Sequence, residues 1–205
     1  WIATTLAELR NRCDLLLVAG PDPAALHPRL FERWVAPAPA FQTPPSREVV
    51  FLCGEPLDTT RAALSGLPVT VLAGDPAKSG DAAAALAAAL PDPSRASGAA
   101  GIAAGDIAAL AERLVTARYT VVAWSAAAFD GPHADLTVER LVRLVRDANR
   151  HTRCAGLPLA GDDNVIGVNQ VCTWRFGVPL RTSLAGGAPL HDPHRFAWAR
   201  YTAVA

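Results

Sequence analysis

The sequence has no long hydrophobic run, no Cys-x-x-Cys pair and no excess of charge of either sign. Its longest apolar runs, such as the one from Leu15 to Ala19, are as long as one buried strand, whereas a membrane helix needs about 20 apolar residues. We therefore expect no membrane segment. The first twelve residues lack the basic stretch and apolar core of a secretory signal peptide, so a cytoplasmic location is expected.

The nineteen basic residues are balanced by nineteen acidic ones, so the net charge is zero. Nothing in this balance draws the whole protein to nucleic acid or to anionic lipid. The four cysteines stand far apart, which gives zinc ribbons and cysteine-ligated iron–sulfur clusters no basis within this sequence. We expect reduced thiols, as is usual for a cytosolic protein. The four are Cys13, Cys53, Cys154 and Cys172.

The run from His191 to His194 could supply two imidazoles and a carboxylate to a metal ion. Adjacent positions rarely converge on one ion, however, and the Asp192-Pro193 pair favours the start of a turn. An exposed turn is the favoured interpretation, and no metal site is expected in this chain.

Apolar strand-like runs alternate with segments of helical periodicity along the chain. This alternation predicts an α/β fold with an open, mostly parallel, doubly wound sheet and helices on both faces. We expect a single unit over 1–205, or two lobes formed by 1–45 with 151–205 and by 46–150. A helix that places Leu26, Leu30, Phe31 and Trp34 on one face is also expected after the first strand.

Two turns follow predicted strands, Gly20–Pro23 and Gly74–Pro76. Parallel sheets bind ligands outside the carboxyl ends of their strands, so Gly20, Asp22, Gly74 and Asp75 mark candidate cofactor-binding positions. Neither turn has a Gly-x-Gly-x-x-Gly or P-loop pattern, and an aspartate would repel a phosphate. An ordinary strand-to-helix turn is favoured, with a retained cofactor contact as the alternative.

A series of arginines recurs on the last amphipathic helix and just after it: Arg140, Arg143, Arg146, Arg150 and Arg153. A solvated helix face, partly neutralised by Glu139 and Asp147, is the favoured interpretation. A subunit interface is the alternative, because arginine is enriched in such contacts.

The segment from Gly161 to Pro179 mixes small polar residues with apolar ones. Several of its side chains carry hydrogen-bonding groups that need partners if they are buried. This composition is typical of a segment that lines a cleft or an interface. The candidates are Asn164, Asn169, Gln170, Trp174 and Arg175.

The stretch Asn164-Val165-Ile166-Gly167-Val168-Asn169-Gln170-Val171-Cys172-Thr173-Trp174, followed by Gly177 and Pro179, resembles a signature of the formylmethanofuran dehydrogenase B subunit family. The run from Leu6 to Asp14, the Gly20–Pro23 turn and His27-Pro28-Arg29 match the same family. The likeness covers nearly the whole chain but only the middle of the family's length. It implies a fragment of a longer chain, with a reduced form of the molybdopterin oxidoreductase core.

For archaeal members the resemblance implies a tungsten or molybdenum bis-pterin and an iron–sulfur cluster that interconvert carbon dioxide and formate. This sequence departs from that pattern. Where the active family has Arg-Gly-His, this sequence has Ala160-Gly161-Asp162. Asp22 stands where the family has an asparagine in the turn after the first strand. Loss of a cation and an imidazole does not suit a site that must hold an anion. We therefore expect no catalytic residue and no cofactor in this chain, with Ala160 and Asp162 as degenerate positions.

This degeneration resembles the B subunit of the bacterial formyltransferase/hydrolase complex of methylotrophs. The resemblance implies a non-catalytic structural subunit in one-carbon metabolism, in the pathway of formaldehyde oxidation. That complex converts formyl-tetrahydromethanopterin to formate through a methanofuran-like carrier. Zinc would belong to a partner, and the hetero-oligomer would contain an amidohydrolase-like A subunit, a C subunit and a formyltransferase D subunit.

Two alternatives remain open from the sequence. The first is a catalytic tungsten or molybdenum subunit whose metal-binding segments are absent from this chain. The second is a stand-alone nucleotide-binding domain, which has only the fold in its favour and lacks the glycine motifs.

Overall fold

The computed structural model describes residues 2–129, 133–160 and 165–197. The chain divides into two compact units, Trp1–Gly161 and Asp162–Ala205. These bounds differ from those of the two lobes considered from the sequence. No helix among the described residues is long and apolar enough to span a membrane.

The first unit is built on five strands. They form one sheet in the order β3-β2-β1-β4-β5, and every neighbouring pair is parallel. The α/β class and the parallel sheet predicted from the sequence are therefore confirmed. Its elements are α1 (Leu6–Arg12), β1 (Leu15–Ala19), β2 (Glu48–Leu52), α2 (Asp58–Ala63), β3 (Val69–Leu72), α3 (Ser79–Ala89), α4 (Ala104–Thr116), β4 (Thr120–Ser125), α5 (Ala134–Ala148) and β5 (Cys154–Leu159).

The sheet has a hydrophobic core on each face, because successive strand side chains point to opposite sides. Leu15 and Leu17 of β1 pack with side chains of α3, α4 and α5 on one face. Leu16 and Val18 pack with α1 and with the segment around Phe31 on the other. Burial on both faces explains why β1 is apolar at every position.

The prediction of one helix through Leu26 and Trp34 is wrong. The chain forms a short 3-10 helix, Pro23–Ala25, and then a π-helical segment, Phe31–Val35. Pro28 lies between them, lacks a backbone N–H and disfavours helical geometry at the residue before it. Leu26, expected on the buried face, is 44% exposed.

The second unit contains α6 (Val165–Phe176) and an antiparallel pair, β6 (Thr182–Ser183) and β7 (Leu190–His191). Gly177 follows α6 with a φ of +74°, the left-handed geometry that commonly ends a helix. Its N–H donates to the carbonyl of Thr173 at 2.9 Å.

Candidate functional site

The two turns predicted from the sequence meet at one cleft. The loops after β1, β2 and β3 enclose about 490 Å³, with Asp22, Gly54, Glu55, Leu57 and Gly74 in its lining. The cleft lies outside the carboxyl ends of the strands, where parallel α/β sheets commonly bind ligands. Of the four candidate positions, Asp22 and Gly74 line this cleft, whereas Gly20 and Asp75 lie beside it in the chain without lining it.

The carboxylate of Asp22 is engaged by backbone groups on both sides of this cleft. Its Oδ1 accepts a hydrogen bond from the N–H of Ala24 at 2.8 Å, and its Oδ2 accepts one from the N–H of Leu57 at 2.8 Å. The residue is only 7% exposed. Asp22 therefore caps the 3-10 helix after β1 and anchors the loop after β2.

Asp75 has a similar local role after β3. Its Oδ1 accepts a hydrogen bond from the N–H of Ala77 at 3.0 Å, which caps another short 3-10 helix. The ammonium of Lys78 lies 4.0 Å from its Oδ2, and both side chains are largely exposed. The contacts of both aspartates are those of turn-forming residues.

Glycines bring the strand ends into close contact. Gly20 has a φ of +80°, and a Cβ there would lie 2.4 Å from the ring of Phe129. A Cβ on Gly54 would lie 1.9 Å from the carbonyl oxygen of Gly20. The space that a ligand would use to approach Gly20 is therefore occupied by an aromatic ring of the protein. Phe129 was not singled out from the sequence, because no local pattern ties it to a turn 109 positions earlier.

Ala160, the first of the two positions expected to be degenerate, directly follows β5. Its carbonyl accepts a hydrogen bond from Nε2 of His27 at 2.7 Å. A carbonyl oxygen can only accept, so Nε2 of His27 carries a proton. The other degenerate position, Asp162, and the candidate Asn164 lie outside the described residues.

The remaining cleft or interface candidates lie on α6 of the second unit, and all four are exposed: Asn169, Gln170, Trp174 and Arg175. Trp174 is 78% exposed and Phe176 is 64% exposed. Asn169 also has a structural contact, because its Oδ1 accepts a hydrogen bond from the N–H of Leu180 at 2.8 Å. A helix with so many exposed apolar side chains is typical of an interaction surface.

Four of the five arginines in the predicted strip have carboxylate partners. Arg140 binds Asp81 and so joins α5 to α3. The others pair within α5 or at its end: Arg143 with Glu139 at 2.6 Å, and Arg146 and Arg150 with Asp147 at 3.0 and 3.7 Å. This pairing is consistent with a neutralised, solvated helix face.

The thiols of the first unit do not suit a metal that binds thiolate. Burial raises the pKa of Cys13 to about 12, that of Cys53 to about 11 and that of Cys154 to about 12. These thiols are protonated near neutral pH, whereas the thiolate is the metal ligand. No group of three or more His, Cys, Asp or Glu that could hold a metal ion occurs in the described part of the chain.

His191 is the last residue of β7, and the chain turns just after it, from Pro193 to Phe196. Oδ1 of Asp192 accepts hydrogen bonds from the N–H groups of Arg195 at 2.8 Å and His194 at 3.0 Å. These bonds lower the pKa of the Asp192 carboxyl. Nδ1 of His191 lies 3.2 Å from the hydroxyl of Thr182, across the β6–β7 pair.

Arg47, which sequence reasoning missed, makes more hydrogen bonds than any other side chain among the described residues of the first unit. It is only 4% exposed, and burial lowers the pKa of its guanidinium. It donates to carbonyls at and just beyond the ends of α1 and the π-helical segment, where backbone acceptors commonly lack a partner within the helix. The acceptors are the carbonyls of Leu9, Arg10, Cys13, Trp34, Val35 and Pro37.

Comparison with curated proteins identifies two relatives from the family that the resemblance predicted. Each is the B subunit of a tungsten-containing formylmethanofuran dehydrogenase 2. The protein from Methanocaldococcus jannaschii is 28% identical over 193 residues, which cover 92% of this chain and 43% of the relative. The protein from Methanococcus maripaludis is 27% identical over 192 residues, covering 93% and 44%. The chain thus spans less than half the length of either relative.

Comparison with solved structures identifies a chain in the X-ray crystal structure of the formyltransferase/hydrolase complex (FhcABCD) from Methylorubrum extorquens in complex with methylofuran. The match has a TM-score of 0.72 and 27% identity, and it covers 99% of this chain and 52% of that one. No protein-family model matches the sequence.

Proposed function

We propose that this chain, a homologue of the formylmethanofuran dehydrogenase B subunit, is a non-catalytic structural subunit of a formyltransferase/hydrolase complex in one-carbon metabolism. Such a complex would convert formyl-tetrahydromethanopterin to formate through a methanofuran-like carrier. Zinc chemistry would belong to an amidohydrolase-like partner. The relation to a complex solved with methylofuran supports this proposal.

The observation that carries the non-catalytic role is the use of the strand-end groups by the fold itself. Both carboxylate oxygens of Asp22 accept backbone hydrogen bonds, and the ring of Phe129 covers Gly20. A ligand that needed the carboxylate of Asp22 or the backbone of Gly20 would have to displace these contacts. The buried thiols of the first unit stay protonated near neutral pH, a state that does not favour metal binding.

The exposed surface of α6 would supply the contact with other subunits. Trp174 combines a large apolar ring with an indole N–H, and such residues dominate the energetics of interfaces. Val168 and Val171 lie on the same helix, 44% and 47% exposed. Arg175 adds a side-chain type that is enriched in interfaces.

Metal analysis of the purified native complex tests the proposed role. We expect zinc and no stoichiometric tungsten, molybdenum or iron. Tungsten or molybdenum together with a pterin would support the alternative, a catalytic dehydrogenase subunit, which the names of the two curated relatives favour.

The interface is tested separately with Trp174→Ala in the assembled complex. We expect dissociation on size-exclusion chromatography at concentrations where the wild type stays assembled, with zinc-dependent hydrolysis by the partner preserved. Truncation of an aromatic anchor costs about 2 kcal/mol or more, so binding should weaken at least thirtyfold. Phe41→Ala is the control, because Phe41 is an aromatic residue of the first unit that is 69% exposed. Unchanged elution of the Trp174 variant would count against an interface at α6.

A further inference from the structure

The end of β5 is weakly held along its outer side. β5 is the last strand of the sheet, and its outer side carries only one bridge among the described residues, between Ala3 and Gly156. Beyond that bridge Pro158 has no N–H to donate. The backbone from Leu157 to Ala160 therefore depends on β4 and on side-chain contacts for its position.

His27 supplies such a contact from a distant part of the chain. The hydrogen bond from its Nε2 to the carbonyl of Ala160 is 2.7 Å long and joins residues 133 positions apart. It reaches from the loop after β1 to the end of β5, past the intervening strand β4. The ring is half-buried, so water screens the bond only in part.

The position of His27 is itself determined by the capped turn after β1. Its backbone N–H donates to the carbonyl of Pro23 at 2.8 Å, and Asp22 caps the 3-10 helix that begins there. The donor is therefore held at a defined place before it meets the carbonyl of Ala160. The carboxylate of Asp22 thus takes part in placing the donor.

We propose that His27 is a latch that fixes the point at which the chain leaves the sheet after β5. Through it, the turn after β1 holds the backbone of Ala160 in place. The latch stands on the geometry of the first unit alone and does not depend on the proposed function.

Hydrogen exchange measured by mass spectrometry on the full chain tests the latch. His27→Ala removes the donor, and we expect exchange in the peptide covering 154–160 to become about threefold to tenfold faster, the effect of one lost hydrogen bond. The peptide covering 48–52 should be unchanged. His27→Gln keeps a side-chain N–H donor of similar reach and should restore exchange to within about twofold of the wild type.

His151→Ala is the matched control, since that histidine is exposed. Unchanged exchange in the His27→Ala variant would overturn the proposal. So would equal acceleration in the 48–52 peptide, which would mean general destabilisation, or a His27→Gln variant that exchanges as fast as His27→Ala.

Discussion

The two units of this chain treat their apolar residues in opposite ways. In the first unit every residue of β1 and β4 is buried, and two cores enclose the sheet. In the second unit none of the residues whose exposure is described is fully buried. Trp174, Phe176 and Leu184 are each more than half exposed. The first unit buries most of its hydrophobic side chains in its own cores, and the second unit has no such core among its described residues.

This difference suggests where each unit obtains its stability. A helix of 12 residues and two strands of two residues are marginal in water without a packed core. The exposed apolar side chains of α6 contribute to stability only when another surface covers them and removes them from water. The contrast therefore favours the proposal that the second unit provides contacts to partners while the first provides the framework.

The largest expected loss of stability comes from replacing a buried arginine of the first unit, compared with an exposed arginine of the second. Arg47→Met should lower the free energy of unfolding by about 3 kcal/mol or more, because buried carbonyls lose their donor. Arg175→Met on exposed α6 should change it by about 0.5 kcal/mol or less. Urea denaturation of the two variants measures both values. Similar losses from both substitutions would break the comparison.

Glycine gives an effect of intermediate size. Gly54→Ala would place a methyl group 1.9 Å from the carbonyl oxygen of Gly20, so β1 and β2 would have to move apart at their ends. We expect a loss of about 2 kcal/mol, as for an overpacked core. Gly186→Ala in the second unit meets no atom within 4 Å and should change stability by about 0.5 kcal/mol or less. Thermal unfolding of both variants is the measurement, and a stable Gly54→Ala protein would contradict the packing described here.

The smallest expected effect per side chain is pH-dependent. The pKa of Cys13 and that of Cys154 are raised to about 12 from 9.0. The unfolded chain therefore loses these protons first, and stability falls as the pH rises from about 9 to about 12. Between pH 8 and pH 10 each thiol should remove about 1 kcal/mol from the free energy of unfolding.

Denaturation of the wild type and of the Cys13→Ala/Cys154→Ala variant at both pH values measures this change. The variant should show the smaller decrease, and an equal decrease would contradict burial of these thiols.

Cys172 of the second unit is only half-buried. A thiol reagent should therefore label it first in the folded chain.

The sequence predicted the sheet well and the site only in part. Uninterrupted apolar runs such as the one from Leu15 to Ala19 and their alternation with amphipathic helices indicated a buried parallel sheet. The helix predicted through Leu26 does not form, because the effect of Pro28 on the backbone outweighs the apolar spacing that indicated a helix. Arg47 gave no signal, since its acceptors are backbone carbonyls that any residue carries.

For the candidate cofactor turns, the sequence by itself determined that Gly20, Asp22, Gly74 and Asp75 follow strands, and the parallel class then predicted that they share one edge. The Asn164–Pro179 segment likewise led to a family that the later comparisons support. Local pattern and periodicity are sufficient to place the turns, because these depend on residues close together in the chain. The family was indicated by the resemblance of the segment alone.

Only the tertiary structure decided what those positions do. The ring of Phe129 over Gly20, the amide of Leu57 on Asp22 and the bond from His27 to Ala160 join residues far apart in the sequence. The strand order likewise follows from no local rule. The role of a side chain at this edge depends on which groups contact it in the folded structure. At Asp22 and Gly20 the partners belong to the fold, because the close packing of the strand ends places a backbone amide beside the carboxylate and an aromatic ring against the glycine.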